Sequence, residues 1–188
     1  MKYLNKSFFI SSQLTRVSCT YTMNLKNIKF SLKIDKPILC KKIKRNEKHK
    51  MSIGEAKIIV YGHSPRLLNV TGVKSMIEVK STINYLVSNF EVKVNNMKID
   101  NIFHSHKDFK NINMRELFHY VRDNYSTQYI VDYNIEIFPG MYLKSKRKSE
   151  PTLILFRTGS YVIVGAKSIH QVKSCVMQIQ KLMIKFEN

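Results

Sequence analysis

The strings TGVKSMIEVKS, residues 71–81, and VGAKSIHQVKS, residues 164–174, are one eleven-residue pattern written twice, so the chain must build two similar units. Aligned at a constant offset (165 − 72 = 93), residues 69–86 and 162–179 share Gly72/Gly165, Lys74/Lys167, Ser75/Ser168, Val79/Val172, Lys80/Lys173 and Ser81/Ser174, six identities in eighteen ungapped positions. The apolar positions Met76, Val79, Ile83, Leu86 and Phe90 return as Ile169, Val172, Val176, Ile179 and Met183. Steps of three and four trace one face of an amphipathic helix, so each copy predicts a long helix. The serine after each Gly-x-Lys suits an N-cap, and the glycine suits the strand-to-helix turn before it.

Upstream of each helix the hydrophobic period falls to two. TLILF (152–156), the turn RTGS and YVIV (161–164) predict a β-hairpin running into the second helix. KIIVY (57–61), GHSPR and LLNV (67–70) predict the same in the first copy, with a turn two residues longer. Further paired segments are expected at residues 38–43 and 140–144. MNLKNI from Met23 corresponds loosely to INMREL from Ile112, each expected as a short helix preceded by a strand. EVKVNNMKIDNIF (91–103) alternates like a strand and joins the copies with no Gly/Ser/Pro-rich linker. The expected organisation is an extension over 1–11, a first repeat over 12–95 and a second over 96–188, forming one α+β domain. Two long amphipathic helices can cover only one face of a continuous sheet, which leaves the other open.

Composition says what such a face would meet. The chain has 188 residues, 44% of them hydrophobic, enough for a core, and 32 Lys and Arg against 13 Asp and Glu, a net charge of +19. A balance that basic favours polyanions, and with an open sheet face it points to nucleic acid. Cys19, Cys40 and Cys175 are odd in number and far apart, which supports neither a disulfide framework nor a zinc site and fits a reducing compartment. The apolar patch at residues 8–10 is too short for a signal peptide, and no later segment approaches a membrane span. No P-loop, GxSxG, HExxH or Cys/His pairing is present, so neither an enzyme nor a cofactor or small-molecule substrate is expected. His104 and His106 in HSH lack a third ligand at metal-site spacing.

The strings KIDNI (98–102), EIFPG (136–140), LILF (153–156) and VIVGAKS (162–168), in this order and together with the duplication, resemble the TATA-box-binding protein family over nearly the whole chain, most clearly from Lys57 onward. The resemblance implies a saddle: a pseudo-two-fold, curved antiparallel sheet whose concave face sits in the DNA minor groove, with helices on the convex face. Minor-groove proteins of this kind drive apolar wedges between base steps and offset the unstacking with the larger contact that a bend allows. On the resemblance, Phe138 and Phe156 are the second wedge pair and Tyr61 is one wedge of the first; its partner's Phe-Pro-Gly motif corresponds to Asp35-Lys36-Pro37, which has no aromatic. Asn101 matches an asparagine that reads the central acceptors, with a mate expected near Ser12 or Gln13. Phe103, Thr71, Val162 and Val164 match further groove contacts, and Lys41, Lys144, Lys74 and Lys167 phosphate contacts. Glu136 matches a docking residue for a transcription factor B.

The resemblance thus implies an initiation factor that binds and bends A/T-rich promoter DNA and recruits a transcription factor B-like protein and RNA polymerase, working in the nucleus or in a cytoplasmic virus factory. Residue by residue, plainer readings stand beside these. Phe138 and Phe156 suit a core, Glu136 and KSKRKSE (144–150) a solvated surface, and Lys74 and Lys167 helix starts facing away. As a whole, the chain also fits a scaffold that keeps the fold and its protein contacts with weakened bending, or a non-catalytic saddle module like those of some DNA glycosylases and ribonucleases.

Overall fold

In the computed structural model of the protein, which describes Met23, residues 25–38 and residues 44–184, alternation decides the first element. Ile28, Phe30, Leu32 and Ile34 are buried while Lys29 and Lys33 between them are exposed, so this segment is a strand, β1 (Leu25–Ile34). The short helix expected from Met23 is not there. The chain continues through β2 (Lys48–Ile53), β3 (Ala56–Tyr61), β4 (Ser64–Val73), α1 (Met76–Phe90), β5 (Val94–Lys107), α2 (Met114–Tyr125), β6 (Tyr129–Asp132), β7 (Gly140–Ser145), β8 (Thr152–Phe156), β9 (Ser160–Ala166) and α3 (Ile169–Met183). All nine strands form one curved antiparallel sheet, ordered β2-β3-β4-β1-β5-β9-β8-β7-β6. The helix expected at INMREL is α2.

A pseudo-dyad runs through the β1–β5 pair. Ile28 lies opposite Ile102, Asn27 opposite Phe103 and Lys29 opposite Asn101. Exchanging the strands therefore maps Asn27 onto Asn101 and Lys29 onto Phe103, an offset of 74 (101 − 27). The helices and the strands that lead into them, β4 and β9, keep the offset of 93. The 19-residue difference arises after the first strand of each half: residues 35–47 join β1 to β2, whereas residues 108–139 join β5 to β7 and hold α2 and β6. Thirteen residues (47 − 34) have no room for both a twelve-residue helix and a strand with their turns. The strand that runs along β3 is β2, with Lys48 opposite Tyr61. Ile38 is buried in a bend, and residues 39–43 lie outside the described residues. The first hairpin differs as well. Its turn is only Gly62-His63, and Ser64, Pro65 and Arg66 continue as strand, with the extra residues taken up where the register jumps between Val60 and Tyr61.

The helices lie on one face. Val79, Thr82 and Leu86 of α1, Leu117 and Val121 of α2, and Val172, Val176 and Ile179 of α3 bury themselves with the inward residues of every long strand, among them Ile58, Leu68, Ile102, His104, Met141, Leu155 and Ile163. Ser75 and Ser168 cap their helices as the sequence implies, each hydroxyl accepting the N–H three residues on, at 3.1 and 3.2 Å. Glu78 and Gln171 in turn accept the backbone N–H of Lys74 and Lys167, the residue before each cap, so both helix starts are tied down by the same pair of bonds. Cys175 is half-buried on α3, and burial pushes its thiol up to about 11, so it stays protonated at neutral pH. The His104 ring lies tilted against Tyr161 at 5.9 Å, and Tyr161 donates its hydroxyl to Asp108, which also pairs with His106 at 2.8 Å. Where α1 alone covers the β2–β3 hairpin, a cleft of about 480 Å³ remains, lined by Ile53, Ala56, Val73, Thr82 and Tyr85 among others.

Replacing Leu86 by alanine removes a fully buried side chain between α1 and the sheet and is expected to cost about 2–5 kcal/mol. Ser168→Ala, which removes one cap, should cost about 1 kcal/mol. Urea unfolding of both variants checks the order.

Candidate nucleic-acid interface

Because successive strand residues alternate, every long strand that buries one row of side chains on the helices shows the next row on the opposite, open face. In the first half that face holds Lys29, Ser31 and Lys33 of β1, Asn69 and Thr71 of β4, and Lys57, Ile59 and Tyr61 of β3. Register fixes these neighbours: Ser31 lies opposite Asn69, Asn69 opposite Ile59, and Thr71 opposite Lys57. In the second half it holds Phe103, Ser105 and Lys107, then Val162 and Val164, then Thr152, Ile154 and Phe156. Ser105 lies opposite Val162, Val162 opposite Ile154, and Val164 opposite Thr152. These residues are partly or fully exposed, and none of the apolar ones belongs to the buried core.

At the dyad sit two asparagines held in the same way. Asn27 Oδ1 accepts the N–H of Gly72 at 2.8 Å and the hydroxyl of Thr71 at 3.1 Å; Asn101 Oδ1 accepts the N–H of Gly165 at 2.6 Å. Gly72 and Gly165 reach these bonds with φ of +95° and +87°, left-handed values that favour glycine. A backbone N–H only donates, so the atom facing it must be the amide oxygen. Each NH2 group is left without a protein partner among the described residues. The mate of Asn101 is thus Asn27, not Ser12 or Gln13, which lie outside the described residues. The signal was present in the sequence, Asn-Ile at 27–28 and again at 101–102, but at an offset of 74 it falls outside an alignment made at 93. Thr71 uses its hydroxyl on Asn27, and Val164, its counterpart, has none to offer.

The outer end of each half, where the strand pair β2–β3 or β7–β8 meets the turn before it, is a stirrup, and the second stirrup gathers aromatics. The Phe138 ring lies 5.9 Å from Phe156 at 63° and 5.1 Å from Tyr142 at 34°. Phe138 and Phe156 crowd over Gly140, where an added Cβ would come within 2.5 Å of Phe138, 2.8 Å of Ile154 and 2.9 Å of Phe156. Glycine is required here because rings occupy the space of a side chain. Glu136 and Ile137 sit exposed on the adjoining turn, Ile137 at 83%, and the N–H of Glu136 donates to Asn134 Oδ1. Lys144 is exposed on β7, opposite Thr152.

The first stirrup is built differently. Tyr61 occupies the place of Phe156, but its β2 partner is Lys48 where Phe156 has Gly140. The turn of residues 45–47, not Asp35-Lys36-Pro37, stands where the Phe138 loop stands. Asp35 instead closes the end of the β1–β5 pair, accepting the N–H groups of Lys36 and Lys93, both at 2.8 Å. The bond from Lys93 chiefly holds its carboxyl below the usual range. The ring facing Tyr61 belongs to His63, at 5.4 Å. Lys74 and Lys167 both stand at helix starts. Lys74 pairs with Glu55 at 2.6 Å, a contact that raises its pKa, and Lys167 donates to the carbonyl of Asp100. Lys41 lies outside the described residues. Among the described residues, no three His, Cys, Asp or Glu side chains group as metal ligands and no helix is long and apolar enough to cross a membrane.

Gly140→Ala is expected to push the Phe138 and Phe156 rings apart and to cost about 1–3 kcal/mol through overpacking. The check is a combined one: a lowered urea midpoint, together with shifted aromatic resonances of the two phenylalanines and not of Phe30.

Comparison with known proteins agrees with this geometry. The family model described as transcription factor TFIID, or TATA-binding protein, matches residues 96–186. A TATA-box-binding protein of Archaeoglobus fulgidus is 29% identical over 87 residues, which is 46% of this chain and 43% of that protein, so the match spans less than half of the relative. The solved structure of Methanococcus jannaschii TBP superposes with a TM-score of 0.64 at 17% identity, covering 88% of this chain and 99% of that one. The chain thus matches the TATA-binding protein family in sequence over residues 96–186 and resembles a TATA-binding protein in fold across both halves.

Proposed function

We propose that the chain is a non-catalytic, DNA-binding transcription initiation factor that holds A/T-rich promoter DNA by its minor groove and bends it at the second stirrup. The observation that carries this reading is the open face itself. Two amides at the dyad offer N–H donors, and a partly exposed aromatic pair stands at one end. In the minor groove A·T and T·A both present only the N3 and O2 acceptors, which an amide NH2 satisfies in either orientation of the base pair. Phe138 and Phe156 supply the wedge that opens a base step, with Tyr142 supporting the first ring and Gly140 giving both room. Phe103, Val162 and Val164 line the apolar floor beneath the sugars, Thr71 holds Asn27 in place, and Lys144 reaches a phosphate.

Glu136 and Ile137, exposed on the far side of the wedge turn, form the docking point for a transcription factor B-like protein, which brings the polymerase. Tyr61 serves as a weaker wedge at the other end, because no phenylalanine backs it and its hydroxyl needs a partner inside the groove. That single weak end favours a second reading, a scaffold that binds DNA with little bending and acts mainly through protein partners.

End-to-end fluorescence energy transfer on an A/T-rich duplex at one fixed salt concentration separates the two, since salt alone moves such affinities strongly. The native chain is expected to shorten the end-to-end distance, and Phe138→Ala/Phe156→Ala to bind without shortening it. Equal, salt-sensitive binding with no shortening by either protein would favour the scaffold.

A further inference from the structure

The two hairpins whose tips reach the starts of α1 and α3 end differently. Gly54 and Glu55 alone join β2 to β3, whereas six residues, 146–151, join β7 to β8 (151 − 145 = 6). The longer tip reads KRKSEP, and together with Lys144 it places four cations in the five positions 144–148, all four of them exposed. On β7, Met141 and Leu143 turn into the core and Lys144 turns the other way, opposite Thr152, so the tip leaves from the rim of the open face. Ser149 follows the cations at once. It is exposed and holds a left-handed φ of +69°. Its carbonyl accepts Gln171 Nε2 at 3.0 Å, and its hydroxyl has no partner among the described residues. Ser145, by contrast, uses its hydroxyl to accept the N–H of Arg147 at 3.2 Å.

The pseudo-symmetry shows what this place lacks. In the first half the hairpin tip brings an anion to the helix start, Glu55 to Lys74 at 2.6 Å. In the second half the tip reaches the corresponding helix start through Ser149 and Gln171 and brings a hydroxyl instead. Lys167, the counterpart of Lys74, makes no ion pair among the described residues, α3 has no acidic residue in its first turn, and Glu150 turns back to Arg147 at 3.8 Å. Charge patterns ahead of the target residue are what protein kinases select, and among the described serines Ser149 alone has a cation at each of the three preceding positions. We propose that Ser149 is a phosphorylation site, modified by a kinase that selects basic residues, and that the modification loosens the chain's hold on DNA. The γ-phosphoryl group of a nucleoside triphosphate passes to Ser149 Oγ: the bond to the leaving diphosphate breaks, the bond to Oγ forms, and the hydroxyl proton goes to the kinase's base. The product carries a charge of about −1.5 to −2 at neutral pH and three acceptor oxygens. It stands where Glu55 stands in the first half, draws in the cations of the tip and withdraws them from the phosphates of the duplex. The effect on DNA rests on the DNA-binding reading above; the site itself does not.

The test incubates the full chain with ATP and a serine kinase that selects basic residues, locates the phosphate by peptide mass spectrometry, and measures affinity for a labelled A/T-rich duplex at several salt concentrations. Ser149 is expected to take up one phosphate, and affinity to fall about tenfold near 0.1 M salt, with a salt slope smaller by about one. A phosphatase should restore both. Ser149→Ala should bind DNA as the native chain does and stay unaffected by the kinase, and Arg147→Gln/Lys148→Gln should be a poor substrate although its serine is intact. Circular dichroism establishes that these exposed substitutions leave the fold in place. No phosphate on Ser149 while a basic control peptide is modified overturns the site. Phosphate on Ser149 with affinity and slope unchanged, or an equal loss of affinity in Ser149→Ala after the same treatment, overturns the effect on DNA. An unmodified chain that binds no duplex at any salt concentration overturns the DNA-binding reading, a failure visible before any kinase is added.

Discussion

The pairing of β1 with β5 is the constraint on which the rest depends. Ile28 and Ile102 meet there with both side chains fully buried, and from that point the sheet extends outward in two directions. Turning one residue along each strand brings Asn27 and Asn101 to the other face, where the glycine N–H groups of β4 and β9 fix their amides. A single strand pair thus joins the two halves, orders the core on one side and sets the spacing of two donors on the other. Shifting the register by one residue would reverse all of this, since every side chain would change face.

Geometry alone does not set what each half contacts. The backbone repeats, yet Gly140 stands opposite Phe156 where Lys48 stands opposite Tyr61. Two rings can lie over a glycine, whereas the residue at that place in the first half, Lys48, carries a long side chain. The first half thus lacks an aromatic pair at its outer end and carries lysines, Lys29, Lys33 and Lys57, on the adjoining open face.

Much of this was legible beforehand. The helix stripes, the capping serines, the second hairpin and the continuous sheet follow from periodicity and the duplicated string. The first half was harder to read, for identifiable reasons. Its short β1–β2 connection breaks the constant offset, so an alignment carried through from Gly72 and Gly165 pairs Asn101 with the wrong segment. KHKMSI, the sequence of β2, has only Met51 and Ile53 facing the core, too weak an alternation to stand out beside the Ile-rich run at residues 38–43. Pro65 was taken as part of a turn, although β4 accommodates it beside the turn where the register is already irregular. The lysines on the open face were visible as letters, but only the register showed that they share a surface with the asparagines.

Among the described residues the sheet has two free edges, and each is a template on which another copy can extend the ladder. Here β2 forms one of them and carries Lys48, His49 and Lys50 in succession, all exposed, while the other, β6, has only four residues and ends in Asp132. A second copy approaching along β2 would set like charges side by side, and one approaching along β6 would find few hydrogen bonds to make. The two strands farthest from the dyad thus each oppose edge-to-edge pairing, β2 by charge and β6 by its short length.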